Sequence, residues 1–268
     1  MNNLIATYLS FILYLACTLL LLLKLRRQPL TARLSKTAIL FIGLAGVIVH
    51  SYALQVEILT PTGINLGFYN ALSLISACIT LFALVTASRY NTEIMTLLIL
   101  PVAMLALILD LNFPSSHLLA PGSSNALFFH IITSLIAYSI LALAALLAIL
   151  LSVQNRFLHN HQPGGIIGML PPLKTMESLL FDALTVGFIC LSISLASGLL
   201  FLENMFAQQI AHKTVLSIIA WFIFLILLGG RWILGWRGRV AIRWTLVGFF
   251  SLMLAYFGSK FVLEIVLS

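Results

Sequence analysis

Three histidines, His50, His130 and His212, stand at the same end of three different apolar stretches, the end that most lysines and arginines avoid. Imidazole is the usual axial ligand of haem iron and a common ligand for other metals. His130 opens one apolar run in Phe128-Phe129-His130-Ile131, and His212 precedes Lys213 just before another. His50 lies a few residues inside the end of a third. Histidines on separate helices can bracket one iron. A porphyrin is a flat, mostly apolar disc whose two carboxylates call for a cation at an aqueous boundary. Two of His130, His212 and His50 are therefore candidate iron ligands, with Lys213 a candidate cation for a carboxylate. Haem b, held without a covalent bond, is the expected group. The competing reading is that an interfacial histidine, being amphipathic, simply reaches toward the headgroups with no ligand.

The rest of the chain offers little other chemistry. His117 falls in a loop rich in Pro, Ser and Gly, Leu111–Asn125. His159 and His161 alternate in a second loop, Gln154–Thr175, with no cysteine or carboxylate nearby to complete a metal sphere. The three cysteines, Cys17, Cys78 and Cys190, form neither CxxC nor CxxCH. That excludes a thiol redox pair and a covalent haem attachment site, and leaves them as small buried apolar residues. Asp182 reads as a helix-start cap beside Glu177, where negative charge suits the dipole. Lys260 and Glu264 can pair at a four-residue spacing. No phosphate-binding loop, HExxH or Ser-His-Asp pattern is present, so a non-enzymatic role is expected.

The elements that carry these residues follow from composition. Of 268 residues, 62% are hydrophobic and only 8% charged, and the mean hydropathy is +1.14. No soluble domain could hide so much apolar surface, so the expected fold is all-α: one integral membrane domain over the whole chain, solvated by lipid. Isolated strands cannot satisfy their backbone groups in hydrocarbon, which leaves helices. Eight spans are predicted at about 4–23, 37–54, 67–86, 94–110, 126–151, 179–200, 214–230 and 243–264, the fourth kinked by Pro101. The first is expected to be retained rather than cleaved, since no basic stretch precedes it.

The net charge of +7 does not indicate a nucleic-acid partner, because its placement follows the loops. Of the 14 Lys and Arg residues, only Lys213 and Lys260 fall outside the alternate loops that gather the others. By the positive-inside rule those basic loops are cytoplasmic and both termini face out. Glu57, Asp110, Glu203 and Glu264 then lie on the outer side. Small residues such as Gly43, Gly46, Ser194, Ser197 and Gly198 suit close helix packing. The tryptophans, Trp221, Trp232, Trp236 and Trp244, suit an interfacial belt.

From residue 67 onward, most strongly from 126, the order of landmarks resembles the cytochrome c assembly protein family of the CcsA/CcmC/HemX type. The landmarks are His130 at an outer helix end, Ser134 to Tyr138, the run Gly187-Phe188-Ile189-Cys190-Leu191-Ser192 to Ser197-Gly198, and the segment Gly235-Trp236-Arg237-Gly238-Arg239 with Ala241 and Gly248 beyond it. The YpjD-like subgroup of the bacterial inner membrane is the most similar. The resemblance implies a membrane protein that handles haem between histidines at the outer face, with His130 matching the family's histidine before the long helix and His212 the second. His50 would match an intramembrane histidine of some members. Lipid and other assembly or membrane proteins are the implied partners. The loop Phe201–His212 lacks the family's tryptophans, Phe201 and Phe206 being its aromatics, and Gly229-Gly230-Arg231 stands where relatives often carry histidine. These departures favour haem binding or regulation over a complete export machine. A transporter or accessory subunit for a divalent cation or small solute, using the same histidines with Asp110 or Glu57, is the alternative.

Overall fold

A computed structural model of the protein describes residues 2–26, 28, 34–60, 63–113, 118–119, 125–160, 170–201 and 211–258. Among them are eight helices long and apolar enough to cross a bilayer. They are α1 (Asn2–Leu25), α2 (Lys36–Ile58), α3 (Phe68–Arg89), α4 (Glu93–Asn112), α5 (Asn125–His159), α6 (Leu173–Phe201), α7 (Ala211–Leu234) and α8 (Arg239–Met253), the last continuing into a π-helical turn, Leu254–Gly258. Each falls on an expected span, and α4 runs as a single helix through Pro101.

Two loops begin later, or end earlier, than hydropathy indicates. Residues 154–159 belong to α5 and 173–175 to α6, so His159 stands on a helix rather than in a loop. Apolarity marks what lipid covers, whereas helix propagation needs only one further backbone hydrogen bond per residue. Arg156 and His159 also complement the negative end of the α5 dipole. Because α6 starts at Leu173, Asp182 lies well inside it and is exposed rather than capping its start. The segments after α2 and α4 contribute three short antiparallel strands, β1 (Leu59–Thr60), β2 (Gly63–Asn65) and β3 (Leu118–Leu119), in the order β1-β2-β3. The expectation was helices and loops alone; at the helix ends, pairing between loops satisfies backbone groups that hydropathy does not see. His117, His161, Glu203, Phe206, Lys260 and Glu264 lie outside the described residues.

The chain divides into two compact units, 1–121 with 168–171, and 122–167 with 172–268. In the first, α1 packs on α2, α2 on α3, α3 on α4 and α4 back on α1. Tyr14, Cys17 and Leu21 of α1, Ile39 and Val47 of α2, Leu84 of α3, and Leu100 and Leu107 of α4 share one buried cluster. At one end of this unit Lys36 pairs with Glu93 at 2.9 Å and donates to the Tyr90 carbonyl at 2.8 Å. At the other, Asn3 donates to Glu57 at 2.5 Å.

The second unit repeats the arrangement, with α5–α6, α6–α7, α7–α8 and α5–α8 as neighbours. Its α7–α8 turn carries the Gly-Trp-Arg-Gly-Arg segment. Gly235 and Gly238 adopt φ of +67° and +59°, a region that side chains with a Cβ disfavour. The Trp236 amide returns to the Gly230 carbonyl at 3.1 Å, and Arg231 donates to the Trp236 carbonyl at 3.2 Å. Glu177 of α6 accepts from the Gly238 amide at 3.1 Å and lies 3.7 Å from Arg231. That segment is thus a tie among three helices.

Large apolar side chains such as Ile12, Phe41, Val102, Leu200 and Ile233 are exposed on the helices. They suit contact with lipid. Lipid tails are as apolar as leucine, so helix pairing in a bilayer rests on close packing and interhelical hydrogen bonds rather than on hydrophobic burial. The few buried polar contacts therefore carry unusual weight in this chain.

Candidate functional site

His130 stands in the second turn of α5, half-buried on the side that meets α6. Its Nδ1 lies 2.8 Å from the Ser194 carbonyl and 3.2 Å from the Ser197 hydroxyl. A carbonyl oxygen can only accept, so Nδ1 must carry the proton. The tautomer is then fixed, and Nε2 holds a lone pair. Ser197 also donates back to the Ser194 carbonyl at 2.8 Å, which holds its hydroxyl beside the ring.

This contact requires α5 and α6 to approach closely. A Cβ on Gly187 would sit 2.7 Å from Leu141 of α5, so glycine is needed there. Ser194 and Ser197 continue the small-residue side of α6 toward His130. Residues expected only to allow packing thus orient the histidine. The signal that would have revealed them is a pair of serines three apart, facing a neighbouring helix that carries a histidine at the same depth.

Two layers below, Trp221 of α7 donates to Ser192 of α6 at 2.8 Å and stacks on Phe188. Tyr138 of α5 is buried against Phe249, Tyr256 and Phe257. The landmarks Tyr138, Gly187 and Ser197 therefore act in packing the unit that holds His130, and Gly235 in shaping its α7–α8 turn. His212 and Lys213 occupy the first turn of α7 in the same unit. For His212 the backbone alone is described.

His50 belongs to the other unit and is fully buried in α2. Its Nδ1 lies 3.1 Å from the Tyr14 hydroxyl and its Nε2 2.9 Å from the Ser73 hydroxyl. Both ring nitrogens are engaged, one with α1 and one with α3. In this geometry His50 presents no free nitrogen to a metal.

Ser73 also faces the carboxyl of Asp110 on α4, which in turn lies against Glu57 on α2. Donors and acceptors balance if Ser73 donates to Asp110, His50 Nε2–H donates to Ser73, and the Tyr14 hydroxyl donates to Nδ1. Asp110 is 7% exposed, and its Oδ1 has no hydrogen-bond partner. Thr7, His50, Glu57 and Asp110 line a cavity of about 10 Å³, the size of a single water. Sequence reasoning placed Glu57 and Asp110 at one membrane face; the fold makes them a pair. No group of three or more His, Cys, Asp or Glu that could hold a metal ion occurs among the described residues.

With this geometry in view, comparison with known proteins gives a consistent result. A family model described as Cytochrome C assembly protein matches residues 4–267. The Inner membrane protein YpjD of Escherichia coli K12 is 31% identical over 227 residues, 82% of this chain and 84% of that protein. A protein of Azospirillum brasilense, described as an uncharacterized 28.8 kDa protein in nifR3-like 5'region, is 33% identical over 140 residues, 52% of each chain. No solved structure matches the chain.

Proposed function

Because the chain belongs to the cytochrome c assembly protein family, we propose that it is an inner-membrane protein that holds haem b non-covalently at the outer face, with His130 and His212 as axial ligands. Family membership supports a role in c-type cytochrome biogenesis, and the eight apolar helices suit residence in the inner membrane, where the Escherichia coli relative is named as lying.

The observation that carries the haem reading is the anchoring of His130. A metal-ligating histidine typically donates its other ring N–H to a carbonyl or carboxylate, which fixes tautomer and ring orientation. The Ser194 carbonyl and Ser197 hydroxyl supply that for Nδ1. The donor chemistry at Nε2 thus fits haem iron. His212 and Lys213, in the first turn of α7 of the same unit, would help to hold the group, the one as a nitrogen donor and the other as a cation. His50 enters a haem site only if one of its bonds to Tyr14 or Ser73 is given up. When bound, haem supplies the iron porphyrin that a c-type cytochrome carries. This chain has no CxxCH, so the thiols that receive the group come from a partner. The role of this chain is then to bind, orient and present.

Purified from haem-replete cells, the protein should show a Soret band that weakens on His130→Ala and on His212→Ala. A colourless protein that added haem cannot reconstitute would defeat the proposal. A second reading, handling of a small cation, is favoured by the buried Asp110 beside the half-buried Glu57. Ion flux that depends on Asp110, in a protein without a haem spectrum, would select it.

A further inference from the structure

The second unit contains a basic cleft that neither the haem reading nor the comparisons use. Its volume is about 320 Å³, and it opens between the end of α5 and the start of α8. Ser152, Asn155, Arg156 and His159 line one wall. Their spacing of three, four and seven residues puts them on one face of α5. Arg239 and Arg243, four apart, line the facing wall from the first turns of α8. The size reaches that of small-molecule sites, roughly 300–1,000 Å³.

Its charge is one-sided. Three arginines face the space and no aspartate or glutamate lines it. The neighbouring acid, Glu177, is committed to Arg231 and the Gly238 amide. Among the described residues none of Arg156, Arg239 and Arg243 is in an ion pair. Guanidinium groups bind phosphate oxygens through paired N–H donors, and Asn155 and His159 add further N–H donors.

We infer that this cleft is a binding site for a phosphate-bearing anion at the membrane end that carries the basic loops. Two sources share that chemistry: the headgroup of an acidic phospholipid and a soluble phosphate ester. Basic residues at this end of a membrane protein are ordinary, because orientation alone selects them. What sets the three arginines apart is their convergence on one open cleft from two helices. Arg237 makes the internal control, since it is exposed on the same turn and does not line the cleft.

The test uses the full chain, purified in detergent and stripped of lipid. One arm reconstitutes it with phosphatidylglycerol in phosphatidylcholine and measures retained phosphatidylglycerol by mass spectrometry. The other titrates inorganic phosphate calorimetrically. Retention should fall roughly fivefold for each of Arg156→Gln, Arg239→Gln and Arg243→Gln, and Arg237→Gln should match the parent. Thermal unfolding of each variant in the same detergent checks that the fold is kept. Phosphate binding that needs the three arginines, without phosphatidylglycerol retention, would identify a soluble phosphate ester as the occupant. An Arg237→Gln loss as large as the others, or variants that retain both probes as the parent does, would overturn the site.

Discussion

Replacing His50 by leucine should loosen the first unit without removing haem. His50, Tyr14 and Ser73 are each fully buried, and the ring joins two helices through bonds of 3.1 and 2.9 Å. Leucine fills similar space but leaves both hydroxyls without that partner. An orphaned buried donor costs about 1–3 kcal/mol, whereas interhelical hydrogen bonds measured in membranes average nearer ~0.6 kcal/mol. A central value of about 3 kcal/mol for the pair corresponds to roughly a hundredfold more frequent opening of the unit. Cys17 can report it, because it is fully buried in the same cluster as Tyr14. With Cys78→Ala and Cys190→Ala in the background, it becomes the sole thiol of the chain. Labelling by a thiol-reactive dye should then accelerate by that factor in His50→Leu. Adding Tyr14→Phe removes one of the two orphans and should recover about tenfold, half the effect on a free-energy scale. Labelling within about twofold of the parent would show that the bonds contribute nothing. A lost Soret band with unchanged labelling would show that His50 serves iron instead, and the reasoning would fail.

Two further outcomes are expected. Ser197→Ala removes the weaker of the two contacts to His130 Nδ1 and leaves the Ser194 carbonyl in place. Haem affinity, measured by titration into the apoprotein, should fall by at most about tenfold, the low end of the effect of such supporting residues; no change would detach the serine from the site. Glu177→Ala removes the acceptor of the Gly238 amide and the ion-pair partner of Arg231, which keeps its bond to the Trp236 carbonyl. It should destabilise the second unit by about 1–3 kcal/mol, read by denaturant unfolding in micelles, and a neutral result would mean the tie between α6 and the α7–α8 turn is ornamental.

Eight helices were legible in the sequence because lipid imposes a local test. A segment must be long, apolar and satisfied by its own backbone bonds, and all three conditions are written in consecutive residues. Helix ends were less legible: α5 continues through His159 and α6 starts at Leu173, since hydropathy measures contact with lipid and not helical pairing. His130 was found by its type and depth, but its partners Ser194 and Ser197, 64 and 67 residues away, were read only as small.

What the sequence determined by itself is a helical membrane protein with imidazoles at chosen depths and a match to one family. What tertiary structure alone decided is the state of two of these imidazoles, His130 and His50. His130 has Nδ1 anchored to α6, while His50 has both nitrogens engaged. Between Ile140 and Leu151 α5 is apolar throughout, so that stretch carries no polar stripe to reveal its rotation. The side chain that a neighbouring helix presents therefore depends on packing across many intervening residues, where small side chains let two backbones meet.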